Sequence, residues 1–210
     1  GRVIARPFVG RPGEFRRTEH RRDFAFRADE PTVLERLTAA GIPVAAVGKI
    51  EDIFAGRGIT RSRHTGNNAD SQRAIEQFLD EMPRGLIFAN LIDFDMLYGH
   101  RRDPDGYARA LETTDHWLGE LLPRLGSGDG LVITADHGND PTFRGSDHTR
   151  EYVPVLAFRP GRPGRTVGVR EGFMDVAATV AAWFGLPPLP RGTPLDADGA
   201  APDCARGVEP

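Results

Sequence analysis

The run Leu131-Val132-Ile133-Thr134-Ala135-Asp136-His137-Gly138-Asn139 passes without a break from apolar residues into groups that can hold a metal. Its first half reads as a buried β-strand over 131–135, because β-branched and aliphatic residues follow one another with no charge between them. Asp136 and His137 stand where that strand ends. Neighbouring side chains on an extended strand point to opposite sides, so both reach one site if the turn at Gly138 redirects the chain or if the two approach an ion with different geometries. The bland alternative is that Asp136 accepts backbone hydrogen bonds as a local cap.

The same design recurs on either side. A second strand over 86–92 ends in Asp93-Phe94-Asp95 and leads to Met96-Leu97-Tyr98-Gly99-His100. Strand alternation would place Asp93 and Asp95 on one side, and a short loop would return His100 toward Asp95. Taken alone, such a pair is more often surface polarity than a ligand set. A third polar element, Gly145-Ser146-Asp147-His148-Thr149, follows the first by one loop. Carboxylates and imidazoles together suit Mn or Zn better than an all-oxygen calcium site.

The segments between these ends set the fold class. Helices are expected over 32–40 (Val33, Leu34 and Leu37 on one face, stopped by Gly41), over 70–79, from Pro104 onward, and over 175–184. Further strands are expected over 44–47, with Gly48-Lys49 at the end, and over 153–158. Helices alternating with continuous apolar strands indicate an α/β fold with helices flanking a mostly parallel sheet, and sites in such sheets lie at strand ends. Residues 1–29 are arginine-rich with scattered apolar residues, read as short strands and connections. Residues 193–210 are read as a loose tail.

Bulk properties narrow the function classes. At 210 residues the chain is long enough for one ordinary core. No long apolar run predicts a membrane helix. A net charge of -3 argues against a general nucleic-acid binder. The single cysteine, Cys204, cannot form an internal disulfide, which permits a cytoplasmic setting.

The combined motifs resemble a known family. Residues 133–141 (Ile-Thr-Ala-Asp-His-Gly-Asn-Asp-Pro) resemble the metal motif of phosphopentomutases and of the wider alkaline phosphatase superfamily. Residues 90–103 and 145–154 match phosphopentomutases more narrowly, and similarity extends through 1–23 and Gly48-Lys49-Ile50, fading in the tail. The resemblance implies an alkaline-phosphatase-like metalloenzyme core interrupted by an inserted α/β cap domain. Residues 1–29 would be the end of that cap and its return to the core, and 30–192 the C-terminal segment of the core. It implies two Mn2+ ions, with Asp95, His100 and His148 sharing one and Asp136 and His137 helping to bind the other. Substrate contacts would come from Arg2, Ile4 and Arg17 in the cap and from Lys49 at the boundary. Arginine's fixed fork of donors matches phosphate oxygens, although most of the arginines in 1–29 read equally well as a solvated cationic face.

The activity implied is interconversion of α-D-ribose 1-phosphate and D-ribose 5-phosphate, and of the 2-deoxyribose compounds, through a phosphothreonine enzyme and a sugar bisphosphate. Pentose phosphates would be its partners, with a sugar bisphosphate as activator. Such an enzyme takes its phosphoryl-accepting threonine and one metal aspartate from an N-terminal half, and no matching motif occurs in these residues. Thr134 and Thr149 have no such role in the family pattern, so neither is assigned one. The fragment is therefore expected to be inactive alone and to expose sheet edges. Two other readings remain open: a metal-dependent phosphatase or phosphodiesterase of the same superfamily, and a noncatalytic metal-binding remnant or interaction protein. Cofactor-independent phosphoglycerate mutase carries a similar Asp-His-Gly-Asn element but matches 95–100 and 2–23 less well.

Overall fold

The computed structural model describes residues 2–18, 20, 22–25 and 29–196, with backbone only for residues 2, 4, 17 and 22–25. Its centre is a parallel sheet. Strand β5 (Val44–Val47) lies between β6 (Arg61–Arg63) and β7 (Leu86–Ala89), both parallel to it. All four residues of β5 are buried, which explains a strand with no polar alternation.

Alternation sorts the sheet's side chains onto two helical layers. Val44 packs with Leu34 and Leu37 of α1 (Val33–Ala39), joined by Leu86 and Phe88 of β7 and by Val180 and Phe184. Ala45 and Val47 pack with Ala74 and Phe78 of α3 (Asn68–Glu81), joined by Ile87 and Ala89. Helix α5 (Met174–Trp183) lies against α1 on the first face. Between β5 and β6 runs the short helix α2 (Ile50–Ile53).

The helix ends are set by local chemistry. Thr32 and Glu35 form a reciprocal capping box at the start of α1, and Gly41 turns the chain away at φ +73°. Helix α4 (Pro104–Leu121) begins with Asp103 accepting from the Gly106 N–H at 2.8 Å and with Pro104 in its first turn, then tightens into a 3₁₀ turn at Leu122–Arg124. Among the described residues no helix is long and apolar enough to cross a membrane.

Strand β8 (Leu131–Thr134) pairs antiparallel with β9 (Val155–Phe158). Among the described residues, neither is hydrogen-bonded to the parallel sheet. The arginine-rich start forms two further antiparallel pairs: β1 (Arg2–Ala5) with β4 (Arg22–Ala25), and β2 (Phe8–Val9) with β3 (Arg16–Arg17).

Sequence periodicity places the helices and core strands within a few residues of their observed bounds. It misses β6, whose Arg-Ser-Arg residues are all exposed at the sheet's edge. The expected loose tail needs a correction over 193–196. Leu195 is buried, and its N–H donates to Thr179 Oγ1 at 2.8 Å, while the Thr193 N–H donates to Asp175 Oδ1. The segment is tied back to α5 by these two hydrogen bonds, which leave the aliphatic Leu195 buried. Residues 197–210 lie outside the described residues.

Candidate metal centre

The chain leaving β7 does not continue as a strand. Residues Phe94–Gly99 wind into a π-helical turn, closed by the His100 N–H donating to the Asp95 carbonyl at 3.0 Å. The turn is anchored at its start by a reciprocal pair. The Asp93 N–H donates to Asn68 Oδ1 at 2.9 Å, and the Asn68 N–H donates to Asp93 Oδ2 at 2.8 Å. Asp93 thus satisfies a free N–H in the first turn of α3. The wound backbone separates it from Asp95, with which strand alternation would have grouped it.

Two further hydrogen bonds hold the other polar loop. Residues Gly138 and Thr149 form an isolated antiparallel bridge, with the Thr149 N–H donating to the Gly138 carbonyl at 3.0 Å. The Asp140 N–H donates to Thr149 Oγ1 at 2.7 Å. His137 and His148 each neighbour a bridged residue, so both fall on the opposite face of the bridge. Their rings stack there with centroids 3.7 Å apart. Asp136 is exposed, its side chain 85% open to solvent, with Oδ2 3.6 Å from His137 Nε2. The divergence expected of neighbours on an extended strand is therefore not what the structure shows, because the chain has left the strand at Thr134 and the two side chains approach each other.

The loops meet at Asp95. One ligand atom each from Asp95, His137 and His148 lies within 4.8 Å of the others. His148 Nε2 stands 3.2 Å and His100 Nε2 3.4 Å from Asp95 Oδ1. His100 Nδ1 faces the Ser146 carbonyl at 2.6 Å. A carbonyl only accepts, so Nδ1 donates there and Nε2 is the ring nitrogen left facing Asp95. One carboxylate with converging imidazoles fits a borderline divalent ion. Tyr107, packed on Phe94 at 5.3 Å, has its hydroxyl pKa raised, first by burial and then by the negative charge of Asp95.

The grouping differs in one respect from the expected division of ligands. His137, assigned by resemblance to a second ion with Asp136, sits in the same group as Asp95 and His148. The bridge between Gly138 and Thr149 is the reason, since it carries His137 to His148. Thr134 and Thr149 are both engaged structurally, Thr134 Oγ1 donating to the Pro154 carbonyl at 2.8 Å and Thr149 Oγ1 accepting from Asp140.

Lys49 follows β5 and is fixed from β7. Its N–H donates to Asn90 Oδ1 at 2.8 Å, and its Nζ lies 2.9 Å from Met96 Sδ, one residue beyond Asp95. A Cβ on Gly48 would stand 2.3 Å from Asn90 Oδ1, so glycine is required there by close approach as well as by its φ of +78°. The side chains of Arg2, Ile4 and Arg17 lie outside the described residues. The asparagines Asn68, Asn90 and Asn139 were not singled out from the sequence, since no spacing rule marks a lone amide as a support for a ligand.

Comparison with known proteins agrees with this geometry. A family model described as the metalloenzyme superfamily matches residues 16–188. A phosphopentomutase of Caldanaerobacter subterraneus subsp. tengcongensis is 56% identical over 194 residues, covering 92% of this chain and 49% of that protein. One from an Anaeromyxobacter species is 57% identical over 185 residues, covering 88% of this chain and 48% of the relative. The chain thus spans about half the length of the curated relatives it matches. A crystal structure of Leishmania mexicana phosphoglycerate mutase, determined at low cobalt concentration, shares the fold with a TM-score of 0.60 at 20% identity, covering 77% of this chain and 38% of its own. Helices flanking a largely parallel sheet, with candidate ligand residues gathered in the loops that follow β7 and β8, are the core of an alkaline-phosphatase-like metalloenzyme, and the chain belongs to the metalloenzyme superfamily, within which it is similar to phosphopentomutases.

Proposed function

We infer that the chain supplies the metal-binding part of a phosphopentomutase, an enzyme that interconverts α-D-ribose 1-phosphate and D-ribose 5-phosphate and their 2-deoxyribose counterparts. The observation that carries this reading is identity of 56% over 92% of the chain, joined to a donor set of one carboxylate and several imidazoles. Asp95, His137 and His148 would hold a divalent ion, with His100 beside them, and Asp136 is free to turn toward a second. Two Mn2+ ions are the proposed complement. Bound there, they would supply positive charge to orient phosphate oxygens and stabilise charge on them during transfer.

The chain's own residues have separate tasks. Asp95 contributes the charge that makes the imidazole cluster attractive to a cation. The Ser146 carbonyl accepts from His100 Nδ1 and leaves Nε2 facing Asp95. Lys49 places an ammonium beside the same loop, where it would meet a phosphate, and Arg2, Ile4 and Arg17 would complete the sugar-phosphate contacts. The phosphorylated threonine and the remaining metal aspartate would come from the part of the relatives' length that this chain does not span. A sugar bisphosphate would start the cycle by phosphorylating that threonine.

The test is a titration of the purified chain with Mn2+ by calorimetry, then a mutase assay with and without the complementary half of the Caldanaerobacter relative. Expected are Mn2+ binding by the chain, loss of that binding in His148→Ala, and turnover only when both halves are present. Sustained release of inorganic phosphate from ribose 5-phosphate by the paired halves would replace the mutase reading with a phosphatase. Binding without any turnover of either kind would replace it with a noncatalytic metal protein.

A further inference from the structure

Asn139 stands where the two ligand-bearing loops touch. Its Nδ2 donates to Asp95 Oδ1 at 2.5 Å. A carboxylate only accepts, so the amide must present its NH2 edge to Asp95. The same amide is pressed against the backbone of Gly99. A Cβ built on Gly99 would stand 2.3 Å from Asn139 Nδ2 and 2.4 Å from its Cγ. Gly99 is buried and is absent from the positive-φ positions, so its backbone conformation does not call for glycine. The approach of Asn139 does.

Asn139 follows β8 and Asp95 follows β7, strands that share no ladder among the described residues. The amide is therefore a direct polar link between the two loops at the ligand itself. It is also neutral. A lysine or arginine in its place would bind the carboxylate more strongly, but would cancel the charge a cation needs. A neutral donor fixes the carboxylate's rotation while leaving its charge and its second oxygen available.

We propose that Asn139 is a positioning residue for the metal centre, setting the orientation of Asp95 by its amide and locking the Phe94–Gly99 turn through its contact with Gly99. This rests on the reading of Asp95 as a metal ligand. Neighbouring donors that orient ligating groups typically change metal affinity by about 10- to 100-fold when lost.

The test uses the full chain and three variants: Asn139→Leu, which keeps the branched shape and removes the donor without adding charge; Asn139→Ala; and Gly99→Ala, which forces the amide aside. Mn2+ affinity is measured by calorimetry, and backbone hydrogen exchange of 92–103 is measured without metal. Expected are a loss of affinity of about 10- to 100-fold in all three and faster exchange in 94–100, with exchange in 33–47 unchanged. A role in packing alone would be preserved by Asn139→Leu, so parental or higher Mn2+ affinity in that variant overturns the proposal. If the parent chain binds no Mn2+, the metal reading of Asp95 fails. Exchange then decides the positioning role separately: unaltered protection of 94–100 in Asn139→Leu and Asn139→Ala overturns it.

Discussion

At the scale of single residues, the best-defined electrostatic feature outside the metal centre is Glu35. Its carboxyl is held below the usual carboxylate range, first by the Thr32 N–H it accepts and then, against the opposing effect of burial, by Arg57. A pKa lowered by folding contributes stability that is complete above the unfolded value and is lost as pH falls through the folded value. Glu35→Gln keeps an oxygen for the Thr32 N–H but loses the charge that faces Arg57, so it should cost roughly 0.2–1 kcal/mol near neutrality, the usual worth of an exposed ion pair. The gap in melting temperature between parent and variant should close on acidification below about pH 4. A gap that is constant from pH 7 to pH 3 would mean the carboxylate's charge is not what stabilises α1. Legibility at this scale was uneven. Asp95, His137 and His148 were named from motifs, and the structure gathers them. Asn139 lay inside a quoted motif without a role, because its function depends on the distance to Gly99, across a loop, which no sequence spacing expresses.

At the scale of elements, apolar periodicity was enough for the core strands and the long helices, since burial alone dictates their pattern. The π-helical turn Phe94–Gly99 was not legible. Six residues do not establish a period, and the turn is held from outside by Asn68 and Asp93. That anchoring makes a prediction. Asn68→Ala removes the acceptor for the Asp93 N–H while leaving the Asn68 backbone donor in place, a loss of about 1 kcal/mol for a partly buried hydrogen bond. Because the loss falls at the foot of the turn, proteolytic or exchange opening of 93–100 should become easier than opening of α3 itself. Equal loosening of both would show that the pair only caps the helix. Asp93→Asn tests the other half of the pair. Its amide oxygen still accepts from the Asn68 N–H, so the variant should keep most of the anchoring, and a loss as large as that of Asn68→Ala would assign the effect to Asp93's charge.

At the scale of the whole molecule, the parallel sheet and the β8–β9 pair each end in an unpaired edge among the described residues, yet both carry ligand residues to one site. Strand β9 is apolar and largely uncovered, with Leu156 61% and Phe158 40% exposed. An exposed apolar edge strand invites pairing between copies. Among the described residues β9 is hydrogen-bonded only to β8, and no pattern in the sequence marks which segment would lie beside it. The chain spans about half the length of the Caldanaerobacter relative, and the complementary half proposed above would be the segment that covers this strand. Leu156→Lys separates the consequences. A charge on this strand should raise the monomeric fraction of the purified chain in size-exclusion chromatography. Mn2+ affinity should be unchanged, because Leu156 belongs to none of the ligand loops. Complementation by the remaining half of the Caldanaerobacter enzyme should weaken, because the lysine would have to be buried in the joined protein. Improved solubility with undiminished complementation would show that β9 stays exposed in the assembled enzyme, and the covering segment would then have to lie elsewhere.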